Sequence, residues 1–166
     1  MNVVHTLTRL HAALGTLLDY LRSPLLLIAR VWVSWQFLKS GWLKVTAWDQ
    51  TVSLFESEYR VPLLSPTLAA AAGTFGELFF PVLLIAGLIA RVGALGLFAV
   101  NALAVVSYAH VLLGEGFEAA LAQHVLWGVV LLGLAVFGPG RISLDTLLER
   151  QAAARCRPSP YAASAA

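Results

Sequence analysis

Glu77 is the residue most in need of a chemical explanation. It lies in Gly73-Thr74-Phe75-Gly76-Glu77-Leu78-Phe79-Phe80-Pro81, inside a run apolar enough to cross a bilayer, where an ionisable side chain costs at least about 2.5–3.5 kcal/mol. A group kept there needs a partner or a purpose. Pro81 has no N–H for the carbonyl four residues back, which belongs to Glu77 itself, so the sequence predicts a kinked helix with a free acceptor beside the carboxyl group. Depth can be counted at about 1.5 Å per residue from the inner helix ends: Glu77 then lies roughly 21 Å deep, Lys39 roughly 22 Å and Asn101 roughly 15 Å. Tyr108, His110 and His124 fall in the outermost third of their runs. If these faces converge, they form a polar cluster opening toward the outer side.

Two kinds of role fit such a cluster. A carboxyl group in a dry site can exchange protons with a bound ligand, with Lys39, Lys44 or His124 donating hydrogen bonds, and Asn101 and Tyr108 completing the binding set. Quinone reduction, which takes up two protons, is the chemistry this invites, with no cofactor bound covalently. Alternatively, a Glu77–Lys39 pair fastens two helices and Asn101 makes an ordinary interhelical hydrogen bond. His110 and His124 lack the spacing of a metal or haem motif, so no metal site is read from them. Cys156, the only cysteine, rules out an internal disulfide, a CxxC pair and a cysteine-held cluster.

The elements that must position these residues are membrane helices. The chain is 59% hydrophobic and 12% charged, against about 45–50% and about 25% in soluble domains. Its 166 residues leave no room for a separate catalytic domain. A net charge of +2 comes without a basic patch, which argues against nucleic acid as a partner. The expected fold is all-α: an integral membrane four-helix bundle within residues 23–140, with spans at about 24–43, 67–90, 92–113 and 121–137. Pro24 is read as a first-turn proline. Residues 44–66 read as an extramembrane loop near the interface, and Arg91 marks a tight turn between the second and third spans. Trp42 and Trp48 suit interface anchors, and Gly73, Gly76, Gly93 and Gly96 suit close helix contact.

Residues 1–22 carry Val3, Leu7, Leu10, Leu14, Leu17, Leu18 and Leu21 at helical spacing, so they form either an interfacial amphipathic helix or an extension of span one. The first apolar run is full length and no small-residue cleavage site follows it, so an uncleaved N-terminus is expected. Residues 141–166 read as a cytoplasmic tail with a short helix capped by Ser143 and a disordered end. Arg9, Arg22, Arg91, Arg141, Arg150, Arg155 and Arg157 fall on one side of the four-span arrangement, which predicts both termini in the cytoplasm.

The run Phe37-Leu38-Lys39-Ser40-Gly41-Trp42-Leu43-Lys44, the Gly76-Glu77-Leu78 of span two, the Gly87-Leu88-Ile89-Ala90-Arg91 that ends it, and the closing Gly138-Pro139-Gly140-Arg141-Ile142-Ser143-Leu144-Asp145 together resemble the DoxX family of small four-helix membrane proteins. The resemblance runs from about Leu25 to Asp145. It implies a bacterial inner-membrane protein with a protein partner in a membrane complex, and Lys44, Glu77 and Gly41 as characteristic positions. Relatives include membrane subunits of a thiosulfate:quinone oxidoreductase and membrane partners of oxidative-stress or metal-handling proteins. The functions implied are therefore the membrane subunit of a quinone-linked redox complex or a non-enzymatic anchor or assembly partner. Nothing in the chain supplies the soluble cysteine-bearing module that thiosulfate chemistry uses.

Overall fold

In lipid every backbone N–H and C=O must be satisfied within the protein, and a helix achieves this within one segment. The computed structural model describes residues 3–155, and the described residues are mostly helical, with no strand among them. The helices are α1 (Val3–Thr46), α2 (Trp48–Ser57), α3 (Pro66–Ala86), α4 (Ala90–Ser107), α5 (Ala109–Leu112), α6 (Glu118–Phe137) and α7 (Leu144–Arg155). Of these, α1, α3, α4 and α6 are long and apolar enough to cross a membrane. α1 packs on α3, α3 on α4, α4 on α6 and α6 back on α1, closing a four-helix bundle. Its core holds Val33 and Phe37 of α1, Leu84 of α3, Ala94 and Leu97 of α4, and Leu131 and Leu134 of α6.

Several boundaries differ from those read in the sequence. α1 begins at Val3 and runs unbroken through Pro24, which therefore sits inside the helix and not in its first turn. Residues 3–22 are thus a continuation of the first membrane helix. The segment after α1 is not simply a loop: α2 folds there and buries Thr51 and Phe55, one helical turn apart, against Ala69 and Ala70 of α3. The turn between α3 and α4 is Gly87–Ile89, where Gly87 takes the left-handed conformation (φ +67°) that closes helix C-termini. Arg91 falls in the first turn of α4. Span three stops at Ser107, six residues short of the expected end at residue 113, because the Ser107 carbonyl accepts the Arg60 N–H at 3.0 Å and leaves the helical ladder. The lone cysteine, Cys156, and the disordered end expected of the tail lie outside the described residues.

One end of the bundle is closed by a network of long-range bonds. Arg30, fully buried, donates from Nη1 to the Leu84 carbonyl at 3.5 Å and from Nη2 to the Ile142 carbonyl at 2.5 Å. Gly87 leaves room for it, since a Cβ there would stand 2.3 Å from Arg30 Nη1. The two carboxylate oxygens of Asp145 accept the N–H groups of Ile89 at 2.7 Å and Ala90 at 2.9 Å, capping α4. Asp145 N–H in turn reaches the Gly87 carbonyl at 2.9 Å. Ser143 Oγ accepts the Thr146 N–H at 3.2 Å and caps α7. This end also carries Arg22, Arg91 and Arg141 around one recess.

Candidate functional site

Gly41 sets the geometry of the opposite half. A Cβ on it would stand 3.0 Å from Glu77 Cβ and 2.9 Å from Leu78 Cγ, so glycine is what lets α1 lie directly on α3 at the level of the acid. Three residues further along the same face, Lys44 reaches across and places Nζ 2.5 Å from Glu77 Oε1. The Glu77 side chain is only 7% exposed and that of Lys44 17%. Glu77 Oε2 is buried with no hydrogen-bond partner. The acid is therefore half-satisfied, with one oxygen held by a cation and the other unclaimed.

The partner is Lys44, not Lys39, which is exposed on the outer side of α1. Counting residues along the helix puts Lys39 level with Glu77, but such a count ignores azimuth. Lys39 and Lys44 are five residues apart, about 140° around the helix. The inward row is Arg30, Val33, Ser34, Phe37, Gly41 and Lys44, with all but Lys44 buried.

Asn101 and His124 come together, joining α4 to α6. Asn101 Nδ2 donates to the His124 carbonyl at 3.0 Å, and its Oδ1 lies 2.9 Å from His124 Nδ1. With the amide so oriented, Nδ1 must carry the proton and Nε2 is left as the ring's acceptor. Gly128 lies beside the pair, and a Cβ there would make only an ordinary 3.5 Å contact with Asn101 Nδ2. The imidazole stands edge-on to Trp127 at 5.0 Å, and Trp127 likewise to Phe37 at 5.5 Å.

Phe55, Tyr59 and Tyr108 stack in series, with ring centroids 4.6 Å and 4.9 Å apart. No sequence pattern signals this stack, because it depends on α2 folding back over the bundle. Tyr108 donates its O–H to Glu58 Oε2 at 2.7 Å, and that bond raises its pKa above the ordinary phenol value. Burial, followed by the negative charges of Glu77 and Glu58 and the neighbouring Tyr108, pushes the Tyr59 hydroxyl up as well. Both phenols are O–H donors at neutral pH. His110 is exposed and stands edge-on to Tyr108 at 5.7 Å.

Between these groups lies a cavity of about 450 Å³, bordered by Lys44, Glu77, Tyr59, Ser107, Tyr108 and His124 and walled by Phe37, Phe55, Phe80, Val100 and Trp127. Ser107 Oγ, like Glu77 Oε2, is buried there without a partner. Gly96 belongs to the same wall, where a Cβ would stand 2.3 Å from the Phe80 ring. Asn101 lies behind His124 and holds it in place without bordering the cavity. Among the described residues no group of three or more His, Cys, Asp or Glu is placed to hold a metal ion. Chemically, the site offers a carboxyl oxygen free to bond or exchange a proton, a cation beside it, hydroxyl donors and flat aromatic walls.

The model of the DoxX family matches residues 25–110. An uncharacterized protein of Haemophilus influenzae is 31% identical over 132 residues, covering 75% of this chain and 83% of that protein. No solved structure matches.

Proposed function

The chain belongs to the DoxX family, and from that premise we propose that it is the membrane subunit of a quinone-linked redox complex, binding a quinone headgroup in the cavity beside Glu77. The observation that carries this is the unclaimed Glu77 Oε2 at a cavity of about 450 Å³, within the range of about 300–1,000 Å³ usual for small-molecule sites. Phe80 and Trp127 offer ring surface to a planar headgroup, while Tyr59, stacked between Phe55 and Tyr108, offers only its edge and hydroxyl. The Ser107 and Tyr59 hydroxyls are donors suited to a carbonyl oxygen. Glu77 is the proton-exchanging group, and Lys44 holds its other oxygen so that the carboxyl plane stays fixed while the proton comes and goes. His124, fixed by Asn101, is a second polar contact. A bound quinone supplies two-electron, two-proton chemistry, and in this reading the electrons come from a partner protein.

The anchor reading asks for a bundle packed solidly around Glu77. Phe75 and Phe79 instead turn outward, 61% and 43% exposed, and the space beside the acid is open. That contrast favours the ligand reading. The same proposal places the protein in a bacterial inner membrane, crossing it four times with both termini in the cytoplasm, in keeping with Arg22, Arg91 and Arg141 at one end of the bundle and Asp49, Glu56, Glu58, Glu115 and Glu118 toward the other.

The test is purification in mild detergent, followed by lipid extraction and by thermal shift with added quinones, for wild type and Glu77→Gln. Quinone carried by the wild type and lost in the variant is the expected result. Absence of quinone and of any thermal shift in the wild type, with unchanged behaviour of Glu77→Gln, overturns the proposal.

A further inference from the structure

The N-terminal half of α1 takes no part in the site, and only its last residues, Asp19, Arg22 and Ser23, border the recess at the end of the bundle. At about 1.5 Å per residue the 44 residues of α1 extend roughly 66 Å, against about 30 Å of hydrocarbon. The helix therefore continues well past the arginine-bearing end of the bundle. Every described side chain from Val4 to Arg22 is exposed. Among them Leu7, Leu10, Leu14, Leu17, Leu18 and Leu21 are 43–62% exposed, an apolar load that a lone helix in water does not keep uncovered.

Spacing says what covers it. Leu7, Leu10, Leu14, Leu17 and Leu21 follow at alternating intervals of three and four residues, the a and d positions of a coiled coil, with Leu7, Leu14 and Leu21 at a. The row at a does not stop at the bundle: Ile28, Trp35 and Trp42 continue it at seven-residue steps and are exposed too. We propose that a second copy of this chain covers the stripe, the two N-terminal halves of α1 pairing as a parallel two-stranded coiled coil beyond the arginine-bearing end. Two copies inserted the same way in one membrane present these segments on the same side, so parallel pairing is the geometry available to them. Confinement to the membrane raises their effective concentration, which a seam this short requires.

Charge supports self-pairing over a membrane surface. The flanking e and g positions are Val4, Thr6, His11, Ala13, Leu18 and Tyr20, so two identical helices bring no Lys, Arg, Asp or Glu against its own copy. A helix lying in the interface needs a polar face rich in Lys and Arg. Here the face opposite the leucines is His5, Thr8, Arg9, Ala12, Gly15, Thr16, Asp19 and Arg22, with two arginines and one acid. Nor does the helix break at Ser23 or Pro24 to lay the segment flat.

Cysteine crosslinking of the full chain in native membranes tests this, in a Cys156→Ser background. A disulfide needs Cβ atoms about 3.5–4.5 Å apart, so Leu10→Cys, Leu14→Cys and Leu17→Cys should give covalent dimers at least about tenfold more readily than Ala12→Cys or Thr16→Cys. Adding Leu14→Glu should abolish the Leu10→Cys crosslink while circular dichroism of the purified protein stays unchanged. Crosslinking without the three-four periodicity overturns the proposal. So does labelling of the leucine positions by a lipid-phase carbene probe, which would assign the stripe to the bilayer.

Discussion

Arg30 and Glu77 are both buried in the bundle, less than 10% exposed, yet their surroundings differ in kind. Arg30 has no carboxylate within ion-pair distance. It is neutralised by carbonyls, one of them at the C-terminal end of α3, where the helix dipole is negative, while Asp145 sits at the N-terminal end of α4, where it is positive. Gly87 closes the space around it. Each leaves one buried polar atom without a partner, Arg30 Nε and Glu77 Oε2, but Glu77 is held by a single lysine and borders an open cavity. A charge held by fixed backbone dipoles in a filled turn has no second state to adopt. A charge held by one flexible side chain beside empty space can change its proton and its partner.

If that contrast is right, the two ends should respond to substitution in opposite ways. The largest effect belongs to Gly87→Val, which needs φ +67° and puts a Cβ 2.3 Å from Arg30 Nη1. It should cost about 4 kcal/mol or prevent folding, read as loss of monodisperse protein or a large fall in Tm, and an unchanged Tm would refute the closed lock. Asp145→Ala uncaps α4 and should cost about 1–2 kcal/mol by thermal unfolding. At the other end, Lys44→Met with Glu77→Gln removes both members of the pair and should leave stability within about 1 kcal/mol of wild type. That double variant should still lose quinone. A double variant as damaged as Gly87→Val would mean that the pair is a fastener like Arg30. The smallest effect is spectroscopic. A free phenol ionises near pH 10, and because burial raises the pKa of Tyr59, it should keep its proton above that range. A late absorbance step that shrinks in Tyr59→Phe, Tyr108 supplying the remainder, would show this. Its absence would mean that the stack is open to water.

The two ends were also unequally legible in the sequence. The apolar runs announced four helices, since length and hydropathy act locally. Glu77 stood out because a lone acid in such a run is costly. Lys44 was available to the same reasoning: Arg30, Val33, Ser34, Phe37, Gly41 and Lys44 repeat at three- and four-residue steps, and a helical wheel puts them on one face. Counting depth alone selected Lys39. The Asn101–His124 clasp depends on the relative slide of α4 against α6, which no single-helix pattern encodes. α2 was hidden because only Thr51 and Phe55 are buried in it, too few to show a period among Asp49, Glu56 and the flanking prolines. Asp145 sits where a first-turn acid of α7 is expected. It does occupy that turn, but its carboxylate serves α4, a contact spanning 55 residues.

That long reach ties the closing of the bundle to biosynthesis. The turn at residues 87–89 leaves the ribosome with its N–H groups bare, and the carboxylate that satisfies them is synthesised 56 residues later. Insertion of the first three membrane helices therefore precedes their final locking, and α6 must be in place before residue 145 can arrive. A chain stopped between Phe137 and Asp145 carries every membrane helix and lacks the bond that certifies them. Such a chain should be recognised by membrane proteases as incomplete, making the start of α7 the checkpoint for the turn between α3 and α4.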